Sequence, residues 1–132
     1  MQDRLKIRVW DKYEKSYWLQ STIEQNIHWL MYPEEYKDAN YPPDYVEIEQ
    51  CVGLKDKNDK LIYECDIFKA EVINSYNGDE NLYKTIYGQV SWFDIECCFS
   101  FAGYQPSDLF EIEIIGNIHE NGDLLENKDE SM

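Results

Sequence analysis

Residues 53–68 read GLKDKNDKLIYECDIF, and no other run restricts the fold as much. Its hexapeptide Lys55-Asp56-Lys57-Asn58-Asp59-Lys60 has no apolar residue. Such a segment cannot line a core, so it turns at the surface. Strand-like residues stand on both sides. Before it, Val46, Ile48 and Gln50 alternate against Tyr45, Glu47, Glu49 and Cys51, as in a half-buried strand that Gly53 ends. After it, Leu61 to Tyr63 is a short strand. A longer one follows over residues 67–73, with Ile67, Lys69, Glu71 and Ile73 alternating against Phe68, Ala70 and Val72. Asn58-Asp59 accepts positive φ at the turn, less readily than Asn-Gly does.

The same alternation recurs along the chain. Leu5, Ile7 and Val9 alternate with Lys6 and Arg8, and Trp10 closes that strand. Residues 11–16 turn and residues 17–19 return, which makes an amino-terminal hairpin. Ile23, Ile27 and Leu30 are spaced for a short helix, capped by Ser21 or Thr22 with Glu24 early in it. Residues 33–43 are rich in Tyr, Pro and acids and read as a surface loop with one helical turn near Glu34. The Asn40-Tyr41-Pro42-Pro43 run cannot be helical. In the second half, residues 83–93 form a strand whose Gly88 marks a bulge or a close backbone approach. Residues 97–101 return after a turn, and residues 110–115 alternate again before Gly116-Asn117 bends the chain. Residues 74–82 and 103–109 read as loops.

Short strands at this spacing predict a mainly β fold of α+β type. Its centre is a small twisted, barrel-like antiparallel sheet, with an amino-terminal hairpin and a loop-rich insertion. A chain of 132 residues suits one domain, taken as 1–126, with 127–132 as a disordered acidic tail. The 11 Tyr, 4 Trp and 5 Phe supply much of the core and favour strands.

Charge narrows the partners. The net charge is −15. Residues 1–60 carry 12 acidic and 9 basic side chains, and residues 61–132 carry 15 and 3. Phosphate binding needs Lys and Arg, so direct nucleic-acid binding through the second half is excluded, and an anionic membrane is repelled. A basic protein surface is the complementary partner. The opening run MQDRLKIRVW has no apolar signal segment, and no stretch reaches the ~20 apolar residues of a membrane helix. The expectation is a cytoplasmic protein with reduced thiols.

Three blocks carry a family resemblance. They are IRVWDKYEKSYW at 7–18, GLKDKNDKLIYECDI at 53–67 and IIGNIHENGDLL at 114–125, with GQVSW at 88–92 between the last two. In this order they resemble the YopX-like family of phage and prophage proteins. Residues 22–41 match nothing in it. The chain departs from the family pattern at Asp59, which replaces the glycine of Asn-Gly, and at Cys65, which replaces the glycine of Glu-Gly-Asp. The resemblance implies a phage or prophage origin and a small β-rich fold. It transfers no activity and no functional residues.

No catalytic set stands out. The zinc-ligand types present are Cys51, Cys65, Cys97, Cys98, His28 and His119, and none fall at the close spacings of finger-type sites. Adjacent Cys97 and Cys98 on a strand point to opposite faces, one to the core and one to the surface. No cysteine nucleophile is marked by a local motif. Glu64 and Asp66, like Glu111 and Glu113, share one strand face at i, i+2 spacing, as acid–base chemistry or a cation site requires. In a chain with 27 acidic residues such pairs also arise by chance. The expected role of Glu64, Cys65 and Asp66 is structural, with Asp66 accepting backbone N–H groups at the turn. No metal and no cofactor is expected.

The expected function is therefore non-enzymatic: a phage or prophage accessory protein acting through protein contacts. A sharper form is an acidic inhibitor that mimics nucleic acid against a basic host protein. The contact surface expected is Trp29, Tyr32, Tyr36, Tyr41 and Tyr45, and self-association is a further expectation. The alternatives are a small-ligand binder or hydrolase using carboxylates and Cys65 at a barrel mouth, and a virion structural component.

Overall fold

A computed structural model describes residues 6–36, 45–73, 83–94 and 97–125. Tyr41, the loop at 74–82 and the tail at 127–132 lie outside the described residues.

The fold is mainly β, with two four-stranded antiparallel sheets and a few short helices. The first sheet holds β1 (Ile7–Asp11), β2 (Ser16–Tyr17), β3 (Val46–Lys55) and β4 (Leu61–Tyr63), in the order β2-β1-β3-β4. The second holds β5 (Asp66–Ile73), β6 (Tyr83–Phe93), β7 (Cys98–Phe101) and β8 (Leu109–Asn117), in the order β7-β6-β5-β8. Two residues, Glu64 and Cys65, are all that separate β4 from β5. The chain thus passes from one sheet to the other within residues 53–68.

The polar hexapeptide turns as expected, and its organiser is Asp56. This buried carboxylate accepts the N–H groups of Asn58 and Lys60 through Oδ1 and that of Ile114 through Oδ2, each at 2.9 Å. One side chain therefore closes the turn and ties it to β8. Asp59 occupies the positive φ of 66°. Gly53 does not end β3, as the sequence suggested. The strand continues to Lys55, and Gly53 at φ 94° absorbs a register shift between Cys51 and Lys55.

The main core forms where β3 and β4 meet the second sheet. Val52 and Ile62 join Phe68, Ala70, Val72, Val90, Phe101, Leu109 and Ile114. Phe68 and Phe101 meet edge to face, with centroids 5.3 Å apart. Fully burying one such side chain contributes about 2–3 kcal/mol over leaving it exposed. Gly88 is a point of close approach: a Cβ there would stand 2.5 Å from Ala102 Cβ and 3.2 Å from the Phe68 ring.

A second cluster of Val9, Ile23 and Leu30 seats α1 (Gln20–Gln25) and α2 (Ile27–Met31) beside the first sheet. The one helix expected here is two, broken at Asn26. Ser21 and Thr22 lie inside α1 and do not cap it, because the chain enters the helix from Leu19. A 3-10 turn follows at Pro33–Tyr36. Finally, α3 (Ile118–Asn121) starts at Asn117, whose side chain accepts the N–H groups of His119 and Glu120.

Candidate functional site

The buried side of β3 carries Glu49 and Cys51. Ile48 is 47% exposed, while its neighbour Glu49 is 2% exposed. Glu49 stands directly across from Arg8 in the β1–β3 register, so two charged side chains enter the interior as a pair. Arg8 Nε donates to Glu49 Oε1 at 2.7 Å, and Arg8 Nη2 lies 2.7 Å from Asp66 Oδ1. The guanidinium thus bridges a carboxylate of the first sheet and one of the second. It also donates to the Glu64 carbonyl at 3.1 Å. The rings of Tyr17 and Tyr63 flank its Cζ at 4.5 and 4.8 Å, a cation–π arrangement.

Glu49 has further partners. Tyr17 Oη donates to Oε1 at 2.9 Å, and His119 Nε2 lies 2.6 Å from Oε2. The His119 ring stacks on Trp10 at 4.5 Å, with planes 7° apart. Glu47 Oε2 is 3.5 Å from His119 Nε2. The Glu49 carboxylate, the Cys65 thiol and the His119 imidazole bring one donor atom each to within 4.8 Å of one another.

Electrostatics follow from burial. Burial opposes charge on Arg8, but Asp66, Tyr17 and Glu49 hold its pKa above the ordinary guanidinium value. Burial pushes the Asp66 carboxyl up, against the pull of Arg8 and the Tyr63 N–H. Burial also raises the Tyr17 hydroxyl, with Glu49 adding to the rise and Arg8 opposing it. The Cys65 thiol is pushed up to about 12 by burial, then by Glu49, Glu64 and Glu47. A thiol so placed keeps its proton at neutral pH and is not an activated nucleophile.

The three residues singled out in the sequence take separate positions. Glu64 and Cys65 form the link between β4 and β5, so Glu64 and Asp66 do not share one strand face. Glu64 Oε1 accepts the Gln50 N–H at 2.8 Å. Asp66 Oδ2 accepts the Tyr63 N–H at 2.8 Å, the turn bond expected of it. Cys65 sits at φ 71°, in the left-handed region that favours glycine. Its N–H donates to the Val90 carbonyl at 2.8 Å, and its carbonyl accepts the Ile118 N–H at 3.0 Å.

The other cysteines are apart. Cys97 lies in the turn before β7 and is exposed, while Cys98 is half-buried, so neither is the core residue the strand reading required. Of the aromatic group, Trp29 packs against the second core cluster, stacks with Trp18 at 6.3 Å and meets Tyr45 at a tilt with centroids 5.6 Å apart. Tyr32 is 52% exposed. The Tyr36 side chain and Tyr41 lie outside what is described. The residues that sequence reasoning missed are Arg8, Tyr17 and Glu49. The trace in the sequence is Arg8, a charged residue between apolar neighbours in IRVWD.

A separate surface feature lies beside the helices. A groove of about 610 Å³ is lined chiefly by Ile7, Ile23, Ile27, Leu30, Met31 and Ile48, with Lys6 and Glu24 also on its wall. No helix among the described residues is long and apolar enough to cross a membrane.

A comparison with curated proteins found no match. A family model described as YopX protein matches residues 6–126. That span takes in both sheets, the groove and every residue of the buried polar cluster, and the chain belongs to the YopX family.

Proposed function

We propose that this protein is a non-enzymatic phage or prophage accessory protein that works by holding another protein. Membership of the YopX family fits such a role. The observation that carries the reading is the apolar groove beside α1 and α2. Its wall residues Ile27, Met31 and Ile48 are 44%, 65% and 47% exposed. Leaving these side chains in water forgoes burial energy that a partner would recover.

The occupant proposed is a segment of a host or phage protein with apolar side chains flanked by basic ones. Apolar residues match the groove wall, and basic flanks match a chain of net charge −15. Of the carboxylates of the hydrolase alternative, Asp66 is buried and bound by Arg8, which weighs against that reading. In the narrower form of the proposal the acidic surface itself takes the place of nucleic acid in a basic cleft.

The test compares the proteins recovered from host lysate by wild type and by Ile27→Glu/Met31→Glu. A partner held by wild type and lost by the groove variant supports the reading, and equal recovery by both overturns it. Recovery that moderate salt abolishes, with the groove variant unaffected, selects the nucleic-acid mimic instead.

A further inference from the structure

We propose that Glu49, Cys65 and His119 form a binding site for a zinc-type divalent metal ion. Each donor comes from a different part of the fold: β3, the β4–β5 link and the first turn of α3. Their donor atoms lie within 4.8 Å of one another. Tetrahedral ligands at the usual zinc bond lengths stand roughly 3.3–3.8 Å apart, so small side-chain rotations suffice to close around an ion. A thiolate, an imidazole and a carboxylate are the ligand types that borderline-soft Zn²⁺ takes.

The surroundings hold each ligand in place. Tyr17 and Arg8 occupy Glu49 Oε1, which leaves Oε2 facing His119. Trp10 stacking fixes the imidazole plane. The Cys65 backbone is pinned at both its N–H and its carbonyl. Glu47 Oε2, at 3.5 Å from His119 Nε2, stands where a fourth ligand would come from. Its 44% exposure gives the ion a route in from solvent.

Uptake of one Zn²⁺ releases the Cys65 thiol proton to solvent. The proton between His119 Nε2 and Glu49 Oε2 also leaves through solvent, so that Nε2 binds the ion with the ring proton on Nδ1, and the hydrogen bond is exchanged for two metal bonds. The ion would tie β3 to the β4–β5 link and to α3, a clasp over the joint between the sheets.

The test uses the full chain, freed of metal by chelation and titrated with Co²⁺ as a spectroscopic stand-in. The expected result is one equivalent bound, with thiolate-to-cobalt charge-transfer absorption and the visible bands of a tetrahedral ion, both removed by added Zn²⁺. Cys65→Gly keeps the fold, because glycine adopts φ 71° freely, and it loses the charge-transfer band. His119→Gln weakens binding more than about tenfold. Cys97→Ser, at an exposed thiol outside the cluster, leaves the spectrum unchanged. A folded wild type without the thiolate band, or a band that survives Cys65→Gly, overturns the proposal.

Discussion

Arg8 and Glu49 face each other across β1 and β3, with Nε and Oε1 2.7 Å apart, and Arg8 also reaches Asp66 of the other sheet. One cation thus serves two buried carboxylates. Replacing it with Met leaves both buried carboxylates without this counter-charge. Breaking one side of a buried ion pair costs about 3–5 kcal/mol. Urea unfolding of Arg8→Met is expected to show a loss of that size. An unchanged midpoint would mean that the network contributes no stability.

Asp56 sets a dependence on acid. Burial raises its carboxyl, but the N–H groups of Ile114, Lys60 and Asn58, with the charge of Lys60, outweigh burial and bring it below the ordinary value. The charged groups around it are Lys60 in its own turn and the Lys57–Glu113 pair that links the turn to β8. A carboxyl lowered in the folded state stabilises fully above its unfolded pKa of ~3.9. That stability is lost as pH falls through the lower folded value. Asp56→Asn is therefore expected to flatten the stability profile below about pH 4. Chemical denaturation at stepped pH, compared with wild type, measures it.

The turn itself can be improved. Asp59 holds φ 66° with an exposed side chain, and its contact with Lys55 at 3.5 Å is a surface ion pair. Such pairs contribute little. Asp59→Gly removes the left-handed penalty and is expected to raise stability by about 0.5–1 kcal/mol. A lowered melting midpoint would show that the Lys55 contact outweighs the backbone term.

Gly88 has no such freedom. An added methyl would press on Ala102 Cβ, in the turn after β7, and on the buried Phe68 ring. Gly88→Ala is expected to cost about 1–3 kcal/mol, the usual range for overpacking. Gly88→Ala combined with Ala102→Gly should recover part of the loss, and a double variant no better than the single would refute the contact.

The strands were legible because period-two alternation and apolar-free turns are local signals. The hairpin, the turn at 55–60 and the close approach at Gly88 all follow from them. Asp66 as a turn acceptor was legible too, since a short carboxylate beside a bend has few other uses. The buried face of β3 was not legible, because alternation alone does not say which of its two sides is buried. Ile48 borders the groove, while Glu49 goes inside with Arg8. Gly53 looked like a strand end, yet a bulge lets the strand continue.

The run at residues 53–68 determined by itself that the chain turns at 55–60 and continues as antiparallel strands, because an apolar-free hexapeptide has only the surface open to it. Only the tertiary structure decided that Arg8, Glu49, Asp66 and His119 meet. Their bonds span 41 residues from Arg8 to Glu49 and 70 from Glu49 to His119. No local pattern encodes contacts at that separation. They arise when two sheets close on each other, and charges left inside the joint must find partners there.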